Sequence, residues 1–342
     1  MQKNQPKVCL NLEFKRFMGG IFYKNIGTGV LSSYKNQMAI LANRKIQFTE
    51  DTRDKDYNII HINLMAPLAL YYIKRDRRKG RKIISYAHNT PEDFKNVFRF
   101  SNLAEPLFKK FLVYMHNRVD IVICPSEYTK SLMDKHGIKT PLIAMSNAVD
   151  TKKYALDEKK RIAGRKKYNL KNVTVFSVGL VLPRKSPNTI IKIAEKFPES
   201  DFVWFGKIYS GLLAKKLPKK LPGNIQFTGF VDDIQEAFSS GDIFVFPSFE
   251  ENEGMVILEA AAAGKPIVVR DIPAYEGWLK HGENCFKAKN EQEFEKYVGM
   301  LIGDEKLREK MGKESLKLAQ NNSLQKIGER LEKIYSNLLE NS

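Results

Sequence analysis

Cysteine is scarce in this chain. Cys9, Cys124 and Cys285 lie far apart in 342 residues, and the first two sit inside apolar, strand-like runs. Paired disulfides and a thiolate zinc site are both disfavoured by that spacing, which suits a reducing compartment. Long apolar runs are missing too. The longest, residues 57–73, contains Asn58, His61, Asn63 and Pro67 and is too short and too polar to span a bilayer. The opening residues, MQKNQPKVCLNL, lack the apolar core of a signal peptide, so a cytoplasmic protein is expected. Histidines number five and form no cluster with cysteine. No Ser-His-Asp or Cys-His arrangement can be read, and a structural or catalytic metal has little support.

Acidic charge is the other shortage: 39 Asp and Glu against 57 Lys and Arg give a net charge of +18. The surplus is uneven, with 25 basic and 13 acidic residues in 1–150 (+12) and +6 in the remainder. A basic half points to a polyanionic partner, nucleic acid or an anionic membrane surface, or else to a plain solvated face. What the chain has in quantity is core-forming residues: 43% are hydrophobic, which rules out wholesale disorder, and the length fits two domains.

Short β-branched runs recur at 8–12, 58–62, 82–87, 120–124 and 142–145, then at 173–178, 202–205, 225–228, 243–246 and 267–269. Helical periodicities fill the gaps, such as 32–41, 127–135, 188–196, 232–239 and 255–263. Strands alternating with helices predict parallel, doubly wound α/β sheets, and two sets of five predict two such domains. The polar interval 150–171 reads as a linker plus one helix, and beyond residue 290 the pattern is purely helical.

The chain is organised around residues 246–271, FPSFEENEGMVILEAAAAGKPIVVRD. A strand ends at Pro247-Ser248, an acidic turn follows, a short helix closes at Gly264, and a second strand begins. Glu251 lies in the loop and Glu259 in the helix, with seven residues between them. A loop and helix N-terminus after a parallel strand is a site for phosphates and sugars. Other polar candidates also follow strands: His88, the segment Gly179 to Lys185, and Gly206 with Lys207. Sheets of this kind bind ligands at the carboxyl ends of their strands, so these positions are expected to face one cleft.

Each motif has a plainer reading. Gly27-Thr28-Gly29 before a helix lets backbone N–H groups approach a diphosphate, or is only a turn, and its spacing is not that of a dinucleotide fingerprint. His88 in a polar loop can donate to a hydroxyl or phosphate oxygen, or be satisfied by loop backbone, a fate better suited to His61 and His116. Arg184-Lys185 before a helix would neutralise a leaving diphosphate, or form a solvated turn. Asp54-Lys55-Asp56 has the outline of a metal-binding pair of aspartates but sits in a polar loop away from a strand end. Bulky apolar residues mix with cations over 94–119, among them Lys95, Phe98, Arg99, Lys109 and Lys110, and the run 75–82 adds Arg75, Arg77 and Arg78. These suit a surface lying among lipid headgroups, or an ordinary core helix. Lys215, Lys216, Lys219 and Lys220 read as a solvated loop.

As a set these residues resemble the retaining, nucleotide-sugar-dependent glycosyltransferases of family 4, which have the GT-B architecture. The most specific match is Pro247-Ser248, Glu251, seven residues, Glu259 and the small-residue helix end before Gly264-Lys265-Pro266. The resemblance implies two Rossmann-like domains facing a cleft, residues 1–150 on the acceptor side and 151–321 on the donor side. The helix 322–340, with Tyr335, would cross back onto the first. Glu251 would contact the donor hexose and Glu259 the ribose, with the backbone of Asn252, Glu253, Gly254, Met255 and Val256 around the diphosphate and sugar. Lys185 matches the phosphate-binding lysine, His88 the strand-end histidine, and Gly27 to Gly29 the glycine loop facing the donor. Two departures stand out: Leu180 replaces the arginine expected after Gly179, a role Arg184 is placed to take, and Ala148 replaces glycine in Asn147-Ala148-Val149-Asp150.

Within the family, residues 88–112 and 250–279 look most like bacterial diglucosyl- and galactosylglucosyl-diacylglycerol synthases. That implies transfer of a hexose, glucose or galactose, from a UDP-sugar to a glycolipid at the cytoplasmic membrane face, with no obligatory metal and Mg2+ not implied. The same chemistry on a polysaccharide or other glycan is the alternative acceptor reading. A non-catalytic nucleic-acid-binding protein is the rival class, but it leaves Glu251, Glu259 and His88 without a role, and no nucleic-acid motif is present. Oligomeric state is not legible.

Overall fold

Two six-stranded sheets, parallel at every strand pair, carry the chain. The computed structural model describes residues 5–13, 29–95, 101–208 and 220–340. Among these, 5–13, 29–95, 101–148 and 324–340 form one compact unit, and 149–208 with 220–323 form a second.

In the first unit, strands β1 (Lys7–Asn11), β2 (Gln47–Thr49), β3 (Ile59–Ile62), β4 (Lys82–Tyr86), β5 (Ile121–Cys124) and β6 (Leu142–Ala144) lie in the order β2-β1-β3-β4-β5-β6. In the second, β7 (Thr174–Val178), β8 (Asp201–Phe205), β9 (Ile225–Gly229), β10 (Ile243–Phe246), β11 (Ile267–Arg270) and β12 (Phe286–Ala288) lie in the order β12-β11-β10-β7-β8-β9. All residues of β3, β7, β10 and β11 are buried. Helices cover both faces of such a sheet, so its central strands read as continuous Ile, Val and Phe and not as alternation. The three free cysteines are buried in these cores.

Ten strands fall where the β-branched runs predict them. β2 and β12 do not. They are three-residue edge strands, Gln-Phe-Thr and Phe-Lys-Ala, too short to show an apolar run in the sequence. A further helix, Pro67–Arg78, spans the end of the apolar stretch and the first half of the charge run; Pro67 starts it where a missing N–H costs nothing.

That helix ties part of the charge run into the framework of the fold. Asp76 is fully buried and accepts from Tyr57 at 2.9 Å, Arg75 at 2.6 Å and Arg81 at 2.8 Å. Arg81 also lies over the Tyr57 ring, 3.7 Å from its centroid. A buried carboxylate needs this much pairing to stay charged, so Arg75 and Arg81 are structural. Arg77 donates to the Arg118 carbonyl at 3.0 Å, while Arg78 and Lys79 are exposed.

The last helix, Leu324–Glu340, packs within the first unit on the helix Gly29–Asn43. Ile327, Leu331 and Tyr335 join Tyr34, Ile40 and Leu41 in one core, and each buried apolar side chain is worth about 2 kcal/mol. The Tyr335 hydroxyl meets His61 Nδ1 at 2.7 Å, and Arg44 pairs with Glu332. The helices approach closely at Gly328, where a Cβ would lie 3.1 Å from the Ile40 side chain.

Candidate active site

In the second unit the strand order reverses between β7 and β10, and the candidate residues cluster where these strands end, as expected of a ligand crevice. Past β7 and β8 the backbone narrows. A Cβ on Gly206 would fall 1.9 Å from the Gly179 carbonyl oxygen, which also accepts from Trp204 Nε1 at 2.8 Å. Only glycine fits at 206. The chain after β7 then makes a single 3₁₀ turn, Pro183–Lys185, closed by Ser186 in the left-handed region at φ 53°. The Phe249 N–H donates to the Arg184 carbonyl at 2.9 Å, which ties this turn to the loop after β10 and sets Arg184 and Lys185 against Glu251.

Glu251 is 7% exposed. It pairs with Lys185, accepts from Ser248 Oγ at 2.6 Å, and lies 3.3 Å from the Arg184 guanidinium, which also donates to the Glu250 carbonyl. Burial alone would raise its pKa, but the Lys185 and Arg184 charges and the Ser248 hydroxyl outweigh it and hold the carboxyl below its ordinary value. Glu251 is therefore a charged acceptor at neutral pH, suited to hydroxyl donors. Lys185 has further N–H donors and Arg184 a second positive charge, so an anion beside the pair would be stabilised. Arg184 thus lies in the cluster that Leu180 cannot supply.

Arg270, at the end of β11, stands behind this cluster. Its Nε donates to the Pro247 carbonyl at 3.0 Å, its Nη2 lies 3.3 Å from Thr189 Oγ1, and its guanidinium lies 4.1 Å from the Phe249 ring centroid. It links the loop bearing Glu251 to the start of the helix that follows Lys185.

The helix Met255–Ala262 begins at Gly254, whose φ of 81° favours glycine, and no side chain caps it. An uncapped first turn directs N–H groups and positive dipole to the mouth of the loop, beside Asn252 and the buried Glu253. Val256 lies in this first turn and Met255 is buried. Glu259 is 6% exposed, and burial raises its pKa to about 7 in spite of a 2.9 Å hydrogen bond from the Tyr154 hydroxyl. A second phenol, Tyr275, is fully buried; its hydroxyl has no hydrogen-bond partner among the described residues and would lie 3.5 Å from a Cβ at 254. Sequence reasoning missed Tyr154, Tyr275 and Arg270. Tyr154 comes from the linker, Arg270 ends the next strand and Tyr275 follows it, so no local pattern joins them to the glutamates.

His88 belongs to the first unit, just past β4. It is buried, stacks on Tyr86 at 4.2 Å between ring centroids, and lies 3.3 Å from Asn63 Oδ1. Burial, with neighbouring His61, lowers its pKa to about 3, so it is a neutral imidazole at physiological pH. His61 and His116 are held by side-chain hydroxyls, Tyr335 and Ser85, and not by loop backbone. Gly29 opens the helix Gly29–Asn43, whereas Gly27 lies outside the described residues, as do Phe98, Arg99, Lys215, Lys216 and Lys219. Asn147 Oδ1 accepts from Ser33 at 2.7 Å, and Ala148 holds φ 62°, a left-handed conformation that glycine would take without strain. Asp56 pairs with Lys7 at 2.7 Å on the surface. Of the remaining cations, Lys95 lies 3.9 Å from Glu105, Lys109 is half-buried and Lys110 is exposed. Among the described residues no group of three or more His, Cys, Asp or Glu is placed to hold a metal ion, and no helix is long and apolar enough to cross a membrane.

Known proteins resemble this chain over most of its length. The family described as glycosyl transferases group 1 matches residues 158–318, and that described as Glycosyltransferase Family 4 matches 26–153. A processive diacylglycerol alpha-glucosyltransferase of Acholeplasma laidlawii is 33% identical over 320 residues, 91% of this chain and 94% of that protein. The alpha-galactosylglucosyldiacylglycerol synthase of Streptococcus pneumoniae is 25% identical over 270 residues, 74% of this chain and 71% of that protein. Among solved structures, Anabaena HepE in complex with UDP-glucose superposes with a TM-score of 0.75 at 16% identity, covering 97% of this chain and all of that one. Identity of 33% across 91% of the chain, on a shared pair of parallel sheets, makes this protein a family 4 glycosyltransferase of the GT-B architecture.

Proposed function

We propose that the enzyme transfers a hexose, glucose in the first place, from a UDP-sugar to a hydroxyl of a membrane glycerolipid, with retention at the anomeric carbon. The observation that carries this reading is the Glu251–Lys185–Arg184 cluster beside the uncapped 255–262 helix, with Glu259 further along that helix. The names of the A. laidlawii and S. pneumoniae relatives support the lipid acceptor, and the HepE complex supports the donor class.

In this reading Glu251 accepts from donor hexose hydroxyls and Glu259 from the ribose. Lys185, Arg184 and the first-turn N–H groups hold the diphosphate, and neutral His88 donates to sugar or phosphate oxygen. The acceptor oxygen bonds to the anomeric carbon as the bond from that carbon to the phosphate oxygen breaks, and the electron pair leaves on the diphosphate. The acceptor proton passes to the departing phosphate oxygen on the same face, which gives retention without a protein base. The cations and N–H groups stabilise charge that develops only as the bond breaks, the most productive place for them. No step requires a metal.

A donor screen that detects free nucleoside diphosphate, run with and without diacylglycerol and monohexosyl-diacylglycerol, tests the reading. UDP release that depends on UDP-glucose and lipid is expected, with Glu251→Gln and Lys185→Ala lowering turnover by about a hundredfold or more while circular dichroism is unchanged. Near wild-type rates in both variants would sink the site assignment. Transfer to a soluble glycan but to no lipid would move the acceptor class. Anionic-vesicle flotation without a gel shift separates this enzyme from a nucleic-acid binder.

A further inference from the structure

An apolar cavity of about 640 Å³ opens in the first unit between the start of the Pro67–Arg78 helix and the helix Ser101–His116. Leu64, Met65, Phe94, Leu107 and Phe111 are among its walls, and among the described residues Asn89 is the one polar side chain lining it. The Phe94 and Phe108 rings stack at 4.5 Å in its wall, so the cavity is built and not a gap between loose ends. Its volume falls in the range of small-ligand sites.

The rim is unusual for a soluble surface. Leu103 and Leu107, one helical turn apart, are 84% and 74% exposed. A water-facing helix does not normally present such a stripe, and contiguous exposed apolar surface marks a binding face. The charges of the two helices select the partner. Exposed Lys74, Arg78 and Lys110 flank the stripe, while the acids of these helices are withdrawn: Asp76 is fully buried and Glu105 faces Lys95. Cations beside exposed leucines complement an anionic lipid surface, and an open apolar cavity beside them complements a hydrocarbon chain.

We propose that this cavity holds an acyl chain of the acceptor lipid, drawn partly out of the bilayer while the leucine stripe rests among the headgroups. Asn89 directly follows His88, so a chain seated here brings its lipid's polar end to the carboxyl end of β4. The proposal rests on the glycolipid reading above and adds to it a place and a length dependence: acceptor recognition reads the tail as well as the head.

Ala104 lines the cavity at an exposed helix position, so Ala104→Trp fills it with little risk to folding. In mixed micelles with saturating donor, Ala104→Trp is expected to raise KM for dioleoylglycerol about tenfold while leaving kcat, and KM for dihexanoylglycerol, within about twofold of wild type. Equal chain-length dependence in variant and wild type overturns the proposal. So does a loss of vesicle flotation with unchanged KM in micelles, which would leave the face as a membrane contact only. Binding of pyrene-labelled palmitic acid, measured without donor, separates the two readings. If wild type binds the probe and Ala104→Trp does not, the cavity stands even where no lipid is glycosylated, and only the acceptor assignment fails. If neither binds while lipid transfer proceeds, the cavity fails and the function stands.

Discussion

Glu251 and Glu259 sit at one site and are both buried, yet their acidities move in opposite directions. Glu251 has two cations and a hydroxyl to offset its burial; Glu259 has one phenol and the charge of Lys153, which do not outweigh it. Removing one partner of a buried pair leaves an uncompensated charge, so Lys185→Ala is expected to cost about 3 kcal/mol in urea unfolding, and Lys185→Met with Glu251→Gln to recover most of it. For Glu259 the folded pKa is raised to about 7 from 4.5. Its contribution to stability is therefore full below pH 4.5 and lost as pH rises through 7, on the order of 3 kcal/mol. Thermal unfolding of the unliganded enzyme should show that loss between pH 5 and 8, and Glu259→Gln should flatten it. Ribose hydroxyls donating to the carboxylate favour its charged form. UDP binding should accordingly tighten from pH 6 to 8 and release protons near pH 7, which calorimetry in buffers of different ionisation enthalpy measures directly.

Elements place these residues, and the tie between elements is Arg270. Its three contacts join β11, the loop after β10 and the helix after Lys185. Arg270→Met keeps the aliphatic stem but frees the Pro247 carbonyl and the Phe249 ring. It is expected to cost about 1–2 kcal/mol of stability and to raise the donor KM several-fold with the acceptor KM unchanged, whereas a loss confined to stability would make the residue structural only. The same scale separates what sequence discloses about elements from what it does not. Central strands such as Ile243–Phe246 carry their own signal because both faces are buried. Edge strands β2 and β12 borrow pairing from a neighbour and carry almost none.

Across the whole molecule the charge of +18 is less free than it looks. Arg75 and Arg81 pair with buried Asp76, and Arg161 and Arg165 with half-buried Asp242, so part of the surplus is internal framework. What faces solvent on the Pro67–Arg78 and Ser101–His116 helices is Lys74, Arg78 and Lys110 beside leucine. Each cation near an anionic leaflet contributes about 1 kcal/mol, so Arg78→Gln with Lys110→Gln should weaken partition onto phosphatidylserine vesicles about thirtyfold. High salt should reduce the difference, because exposed charges are screened.

Sequence by itself determined the two parallel sheets, most of their strands, and the stretch 246–271, because a buried strand and a βαβ turn are written in consecutive residues. Spacing there already distinguishes a loop glutamate from a helix glutamate. Only the tertiary structure decided which groups surround them. Tyr154 reaches Glu259 across 105 positions, and Lys185 reaches Glu251 across 66. Burial likewise set the neutral His88 and the raised Glu259, and it divided the basic residues into framework and surface. A carboxylate's acidity and a cation's freedom depend on neighbours brought from distant parts of the chain, and chain order does not record those neighbours.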